Sequence, residues 1–141
     1  VMVYEQDSTN FLNRVDSYMV PVSVKAIIRR KQSVLFLRNP RGEWELPGGR
    51  PEMGESLEQA LTREVQEECM LTVSRAHYVG SGSFEVIPGK FVLVACFECE
   101  FADCDVSLSD EHDDSAWIDF EKPRPMNLPL FYWKLCWNEL S

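Results

Sequence analysis

Hydrophobic and polar positions along this chain switch between a strand-like and a helix-like period. Val20 to Arg30 and Val34 to Leu37 are rich in branched aliphatic residues and read as two strands, with Lys31-Gln32-Ser33 as their hairpin connection. Asn39-Pro40-Arg41-Gly42 reads as a turn, and Trp44-Glu45-Leu46 as a short extended piece broken by Pro47-Gly48-Gly49. Further strands are predicted over 72–80, 83–87, 90–101 and 115–119, with Pro88-Gly89 as a turn. Residues 129–140 read as a final helix, with Pro129 near its start and Leu130, Phe131, Trp133, Leu135 and Trp137 as packing residues. Phe11, Leu12 and Val15 suit either a short amphipathic helix over 5–17 or an ordered arm. No composition shift, repeat or low-complexity tract divides the chain, so a single domain over 1–141 is expected. Strands mixed with two or three helices predict an α/β fold, a mixed β-sheet between helical layers.

The strongest helical signal covers residues 56–69. Ser56 is a suitable N-cap and Gln59 completes a capping box. Leu57, Ala60, Leu61 and Val65 then recur at helical spacing. On a wheel, however, Glu64 and Glu68 fall within that apolar arc and Glu67 lies at its edge. A surface helix normally turns its carboxylates away from the core, and like charges at this spacing repel. Two arrangements would satisfy them. Arg63 and Arg75 can pair with them as a structural network, or hard divalent cations such as Mg2+ or Mn2+ can sit among their oxygens. Gly48 and Gly49 precede this helix; they serve either as a tight turn or as backbone able to approach a ligand closely.

Charge sharpens the question. The formal net charge is -9, which argues against non-specific binding to a nucleic-acid backbone. A polyphosphate ligand would then need local positive charge, and bound divalent cations would supply it. The five cysteines, Cys69, Cys96, Cys99, Cys104 and Cys136, are expected to be reduced. Cys96 and Cys99 have the C-x-x-C spacing, but on a strand they point to opposite faces, and no second pair completes a zinc site. Val1 to Asn10 carry no basic or apolar signal region, and no apolar run spans a bilayer, so a cytoplasmic protein is expected.

At the helix and the loop before it, the chain resembles the nudix hydrolase family. The family's box reads G-x5-E-x7-R-E-U-x-E-E-x-G-U, where U is a bulky aliphatic residue. Gly49, Glu55, Arg63, Glu64, Val65, Glu67, Glu68 and Leu71 match eight of the nine specified positions. The exception is Met70, where the family has glycine. If the left-handed backbone usual at that position is kept, methionine costs roughly 1 kcal/mol; otherwise the helix ends differently. The order of elements on either side is compatible with the nudix-type α/β/α sandwich.

The resemblance implies a divalent-metal-dependent hydrolase that cleaves a diphosphate linkage in a nucleoside diphosphate derivative. It implies that Glu64, Glu67, Glu68 and the Gly48 carbonyl hold Mg2+ or Mn2+. Glu64 also looks like the box residue that serves as base in some members. Glu55 would orient waters or pair with Arg63, and Arg63 would hold the glutamates in place. A further carboxylate on a later loop points to Asp110 to Asp114, with Glu111 the favoured extra metal ligand or base. Arg38, Arg41 and Arg50 are candidates to touch phosphates, Arg38 first, and Trp44, Phe84 or Tyr78 to stack on a base. Nucleoside triphosphates and nucleotide sugars such as ADP-ribose rank equally as substrates. Expected partners are a small-molecule nucleotide and, as one possible assembly, a second copy of the chain, with no nucleic acid and no membrane. The competing reading is a catalytically silent nudix-fold module that binds nucleotide without turnover.

Overall fold

A computed structural model describes residues 19–102, 106–107 and 114–140. The predicted segment 5–17, Cys104 and Glu111 lie outside the described residues. The elements are β1 (Val22–Arg30), β2 (Ser33–Arg38), β3 (Trp44–Glu45), β4 (Gly48–Gly49), α1 (Leu57–Cys69), β5 (Val73–Ile87), β6 (Lys90–Phe101), β7 (Asp114–Asp119) and α2 (Leu130–Leu140). One mixed sheet runs β3-β2-β1-β6-β5, with β7 paired to β2 and β4 paired to β1. Strand β1 is its centre, parallel to β6 along one side. Its other side is divided: the end at Arg29 and Arg30 pairs with β2, and the start at Val24 and Lys25 pairs with β4.

The apolar residues of β1, β2 and β6 alternate between two cores, as the two-residue period of a strand requires. Leu35, Leu37, Ala95, Phe97 and Cys99 face Ala60, Leu61 and Val65 of α1. Val34, Phe36 and Cys96 face Tyr132 and Cys136 of α2. This is the expected α/β/α sandwich. It also separates Cys96 from Cys99, and the four described cysteines are free and buried. Among the described residues no helix is long and apolar enough to cross a membrane.

Two local expectations are corrected. Residues 73–87 form one strand rather than two. Gly80-Ser81-Gly82 is absorbed by a register shift between Tyr78 and Gly80 rather than breaking the ladder. At Gly82 a Cβ would come within 2.9 Å of the Phe131 ring of α2, so this glycine serves close packing. Gly48 and Gly49, read as a break or turn, instead form a two-residue strand on β1.

Candidate functional site

Helix α1 begins where its capping box predicts. The Gln59 backbone N–H donates to Ser56 Oγ, and the Ser56 N–H donates to Gln59 Oε1. Fully buried Leu61 and Val65 then fix the inward face, each stabilising by about 1.5–3 kcal/mol. That rotation carries Glu68 inward with them, and it is 4% exposed. The helix ends at Met70 with φ 58° and ψ 29°, and the Met70 N–H donates to the Gln66 carbonyl. The left-handed conformation is therefore kept despite the methionine, whose side chain is exposed.

Arg63 organises the outward carboxylates. Its Nε and Nη2 donate to the two oxygens of Glu55 at 2.7 and 2.9 Å, a two-pronged fit that lysine could not make. Its Nη1 donates to Glu64 Oε1 at 2.8 Å and to Glu67 Oε2 at 3.3 Å. Nη2 also reaches the Arg50 carbonyl at 3.2 Å. The Arg63 bond, helped by the Glu52 backbone N–H, holds the Glu55 carboxyl down at about 2. Arg63 is in turn pushed above its ordinary value, first by Glu55 and then by Glu64. Arg75 takes no part in this network. It lies on β5 beside Glu100, because the β5–β6 register pairs these two residues.

The glycines of β4 lie against the carboxylates. Gly48 N–H donates to Glu68 Oε1 at 2.9 Å. A Cβ on Gly49 would stand 2.5 Å from the Glu64 carboxyl carbon, so the missing side chain is the space Glu64 occupies. A Cβ on Gly48, where φ is +148°, would lie 1.9 Å from the Val24 carbonyl oxygen. The structure thus brings Gly48, Gly49, Glu55, Arg63, Glu64, Glu67 and Glu68 together along one side of α1. Among the described residues no three His, Cys, Asp or Glu side chains already surround a common point. Glu64 and Glu67 instead share the Arg63 Nη1. The donor set consists of hard oxygens, which suits Mg2+ or Mn2+.

Two of the predicted phosphate contacts converge nearby. Arg41 and Arg50 line a cleft of about 640 Å³ together with Lys90, Val20, Ile87 and Phe91. Arg41 is engaged there by Glu43 at 3.1 Å. Arg38 is not among the lining residues; it ends β2 opposite Trp44 on one side and Asp114 on the other. Asp114 is the only described member of the predicted acidic segment 110–114. Trp44 packs against the α2-side core, as does Phe84, which stacks near Phe131 and Tyr132. Tyr78 is exposed and meets Phe97 edge-on.

Sequence reasoning missed Lys25. This lysine sits in the buried run of β1, 8% exposed, and its Nζ donates to the Leu46 carbonyl at 3.1 Å. Burial works against its charge, but Tyr132, Glu45, Glu68 and Glu64 around it outweigh that, and its pKa is raised. Its signal was a lone charge within Val-Ser-Val-Lys-Ala-Ile-Ile.

The NUDIX domain family matches residues 19–135. Over 108 residues the chain is 32% identical to the NAD-capped RNA hydrolase NudC of Pseudomonas aeruginosa (strain LESB58), a match covering 74% of this chain and 38% of that protein. It is 33% identical over 93 residues to the nucleoside triphosphatase NudI of Klebsiella pneumoniae, covering 57% of this chain and 64% of NudI. The chain therefore spans less than two thirds of either relative's length. The crystal structure of a MutT protein from Methanosarcina mazei Go1 superposes with a TM-score of 0.75 at 32% identity, over 84% of this chain and 91% of that one.

Proposed function

From the premise that the chain belongs to the NUDIX family, we propose that it hydrolyses a diphosphate linkage in a nucleotide derivative with the help of Mg2+ or Mn2+. The observation that carries this reading is the placement of three box glutamates against β4 and Arg63: Glu64 and Glu67 share the Arg63 Nη1, Glu64 fills the space beside Gly49, and Glu68 accepts from the Gly48 N–H. Glu64, Glu67, Glu68 and the Gly48 carbonyl are the residues that would hold the ion. A bound divalent ion neutralises diphosphate oxygens and lowers the pKa of an attacking water.

The rest belongs to the chain's own groups. Glu64 takes the proton from the attacking water, and Arg63 keeps Glu64 and Glu67 facing the substrate as Glu55 anchors it from behind. Arg50 and Arg41 receive phosphate oxygens from the cleft side, with Arg38 reaching the substrate from the end of β2 and Glu111 adding a carboxylate. Trp44 forms an apolar wall for the base. NudI is named for nucleoside triphosphates and NudC for NAD-capped RNA, so the candidate substrates are nucleoside triphosphates and dinucleotide or sugar diphosphates. With a net charge of -9, a capped RNA would be held by its cap rather than along its backbone. Intracellular nucleotides are the pool this reading implies.

For the binding-module alternative, the feature in its favour is Met70, the one departure from the family box. That support is weakened by a Met70 backbone that keeps the left-handed turn. The test is a panel of nucleoside triphosphates, ADP-ribose, NADH and NAD-capped oligonucleotide, with Mg2+, Mn2+ or excess EDTA. Release of a nucleoside monophosphate that stops with EDTA is expected. Full activity in EDTA, or no turnover together with a nucleotide-induced melting shift, overturns the proposal.

A further inference from the structure

The segment Leu46-Pro47-Gly48 is tied at each residue. The Leu46 carbonyl accepts from Lys25 Nζ, the Pro47 carbonyl accepts from the Ala26 N–H at 2.8 Å, and the Gly48 N–H donates to Glu68. Two of these three ties come from adjacent residues of β1, and Lys25 is also the register partner of Gly48. A buried ammonium is a demanding choice for a central strand when an aliphatic residue would fill the same volume. Val24, Ala26, Ile27 and Ile28 around it are all fully buried and apolar. The Lys25 side chain leaves β1 on the same face as Ile27, toward Tyr132 of α2, whereas α1 covers the other face. The β4 segment is thus held by Glu68 from the α1 layer and by Lys25 from the α2 side.

Resting on the metal-dependent reading above, we infer that Lys25 is a positioning residue: its bond to the Leu46 carbonyl sets the Gly48–Gly49 backbone against Glu64 and Glu68. The tolerance at this contact is small, because Gly49 leaves no spare room beside the Glu64 carboxyl and Gly48 none above Val24. A shift of β4 therefore moves the Gly48 carbonyl relative to the helix carboxylates. Without the ammonium, the Leu46 carbonyl loses its donor and the segment is held only from β1 and α1.

Lys25→Met keeps the apolar stem and removes the donor, and Lys25→Gln keeps a shorter donor without the charge. Mn2+ binding is followed by the paramagnetic signal of the free ion, turnover as separate kcat and KM, and the Gly48 amide by hydrogen exchange. For Lys25→Met we expect Mn2+ binding weakened about tenfold, kcat lowered at least tenfold with KM within twofold, and faster exchange at Gly48. Lys25→Gln should move each readout in the same direction by less, and it carries the test if the methionine variant does not fold. Mn2+ affinity and kcat within twofold of wild type in a folded variant overturn the inference, even if the melting temperature falls. Should wild type bind no Mn2+ and turn over nothing, the proposed function fails. Gly48 exchange then decides the clamp separately, and unchanged protection in the variants refutes it.

Discussion

Adjacent glycines in β4 should respond to alanine in opposite ways. At Gly48 the added Cβ meets backbone, 1.9 Å from the Val24 carbonyl oxygen, at a φ of +148° that side chains rarely adopt. Backbone strain of about 1–3 kcal/mol adds to an overlap of similar size, so Gly48→Ala should lose roughly 4 kcal/mol. At this chain length that is a fall in Tm of roughly 12 °C. At Gly49 the φ lies outside the left-handed region, and the nearest atoms to the added Cβ are those at the end of the Glu64 side chain, at 2.5–2.8 Å. The carboxylate can swing aside, and alanine also restricts the unfolded chain by about 0.4–1 kcal/mol. Gly49→Ala should therefore melt within ~3 °C of wild type. Its turnover should nevertheless fall by about a hundredfold, or roughly 3 kcal/mol, because the displaced carboxylate is the proposed base and metal ligand. Circular-dichroism melting and a phosphate-release assay on both variants decide the matter. A Gly49→Ala protein with full turnover would refute the role given to the Glu64 position, and a Gly48→Ala protein as stable as wild type would refute the packing argument.

Other outcomes follow from the same contacts. Arg63 holds the Glu55 carboxyl at about 2 against an ordinary 4.5, so the pair's contribution is complete above 4.5 and is lost as pH falls through 2. The Tm difference between wild type and Glu55→Gln should be constant above pH 4.5 and shrink below it; a difference that grows on acidification contradicts the pairing. Met70→Gly relieves a left-handed φ of 58° but frees the unfolded chain, so stability should change by no more than about 1 kcal/mol and turnover should stay within twofold. A tenfold change in kcat would show that the methionine matters to catalysis. Burial pushes the Cys69 and Cys99 thiols up to about 12, and also holds Cys96 and Cys136 well above the ordinary thiol value. In a Cys104→Ser chain, a disulfide reagent at pH 8 should label nothing until denaturant is added, and rapid labelling of native protein would contradict the burial.

How far the sequence revealed this arrangement differed between elements for physical reasons. Helix α1 was legible because its cap, its apolar period and its carboxylates are all local in sequence. The misplaced charges at Glu64 and Glu68 pointed to contacts made outside the helix's apolar stripe, to Arg63 and to the Gly48 N–H, since patterning that contradicts burial needs a partner. Arg63 and Arg75 looked equivalent on paper, yet strand register sent Arg75 to Glu100, and register is not local. Strand β5 was divided at Gly80 and Gly82 because glycine signals a break, bulge or close approach alike. The role of Gly48–Gly49 as a strand, and of Lys25 behind it, depends on β4 reaching across to β1 from 20 or more residues away. A single lysine in an apolar strand was the available signal for that contact.

The central claim is that the α1 glutamates serve an ion rather than the fold. Glu67→Gln and Glu68→Gln test it most directly, each measured for turnover and for melting with and without Mg2+. Glu67 is exposed, and a glutamine at position 68 can still accept from the Gly48 N–H, so apo stability should be kept in both. Turnover should drop by about a hundredfold or more, roughly 3 kcal/mol. The Mg2+-induced rise in Tm should weaken in parallel, as stabilisation follows affinity for the folded state. Loss of apo stability with turnover and the Mg2+ shift unchanged would contradict the account and leave Glu67 as a structural partner of Arg63 and Glu68 as one of the Gly48 N–H.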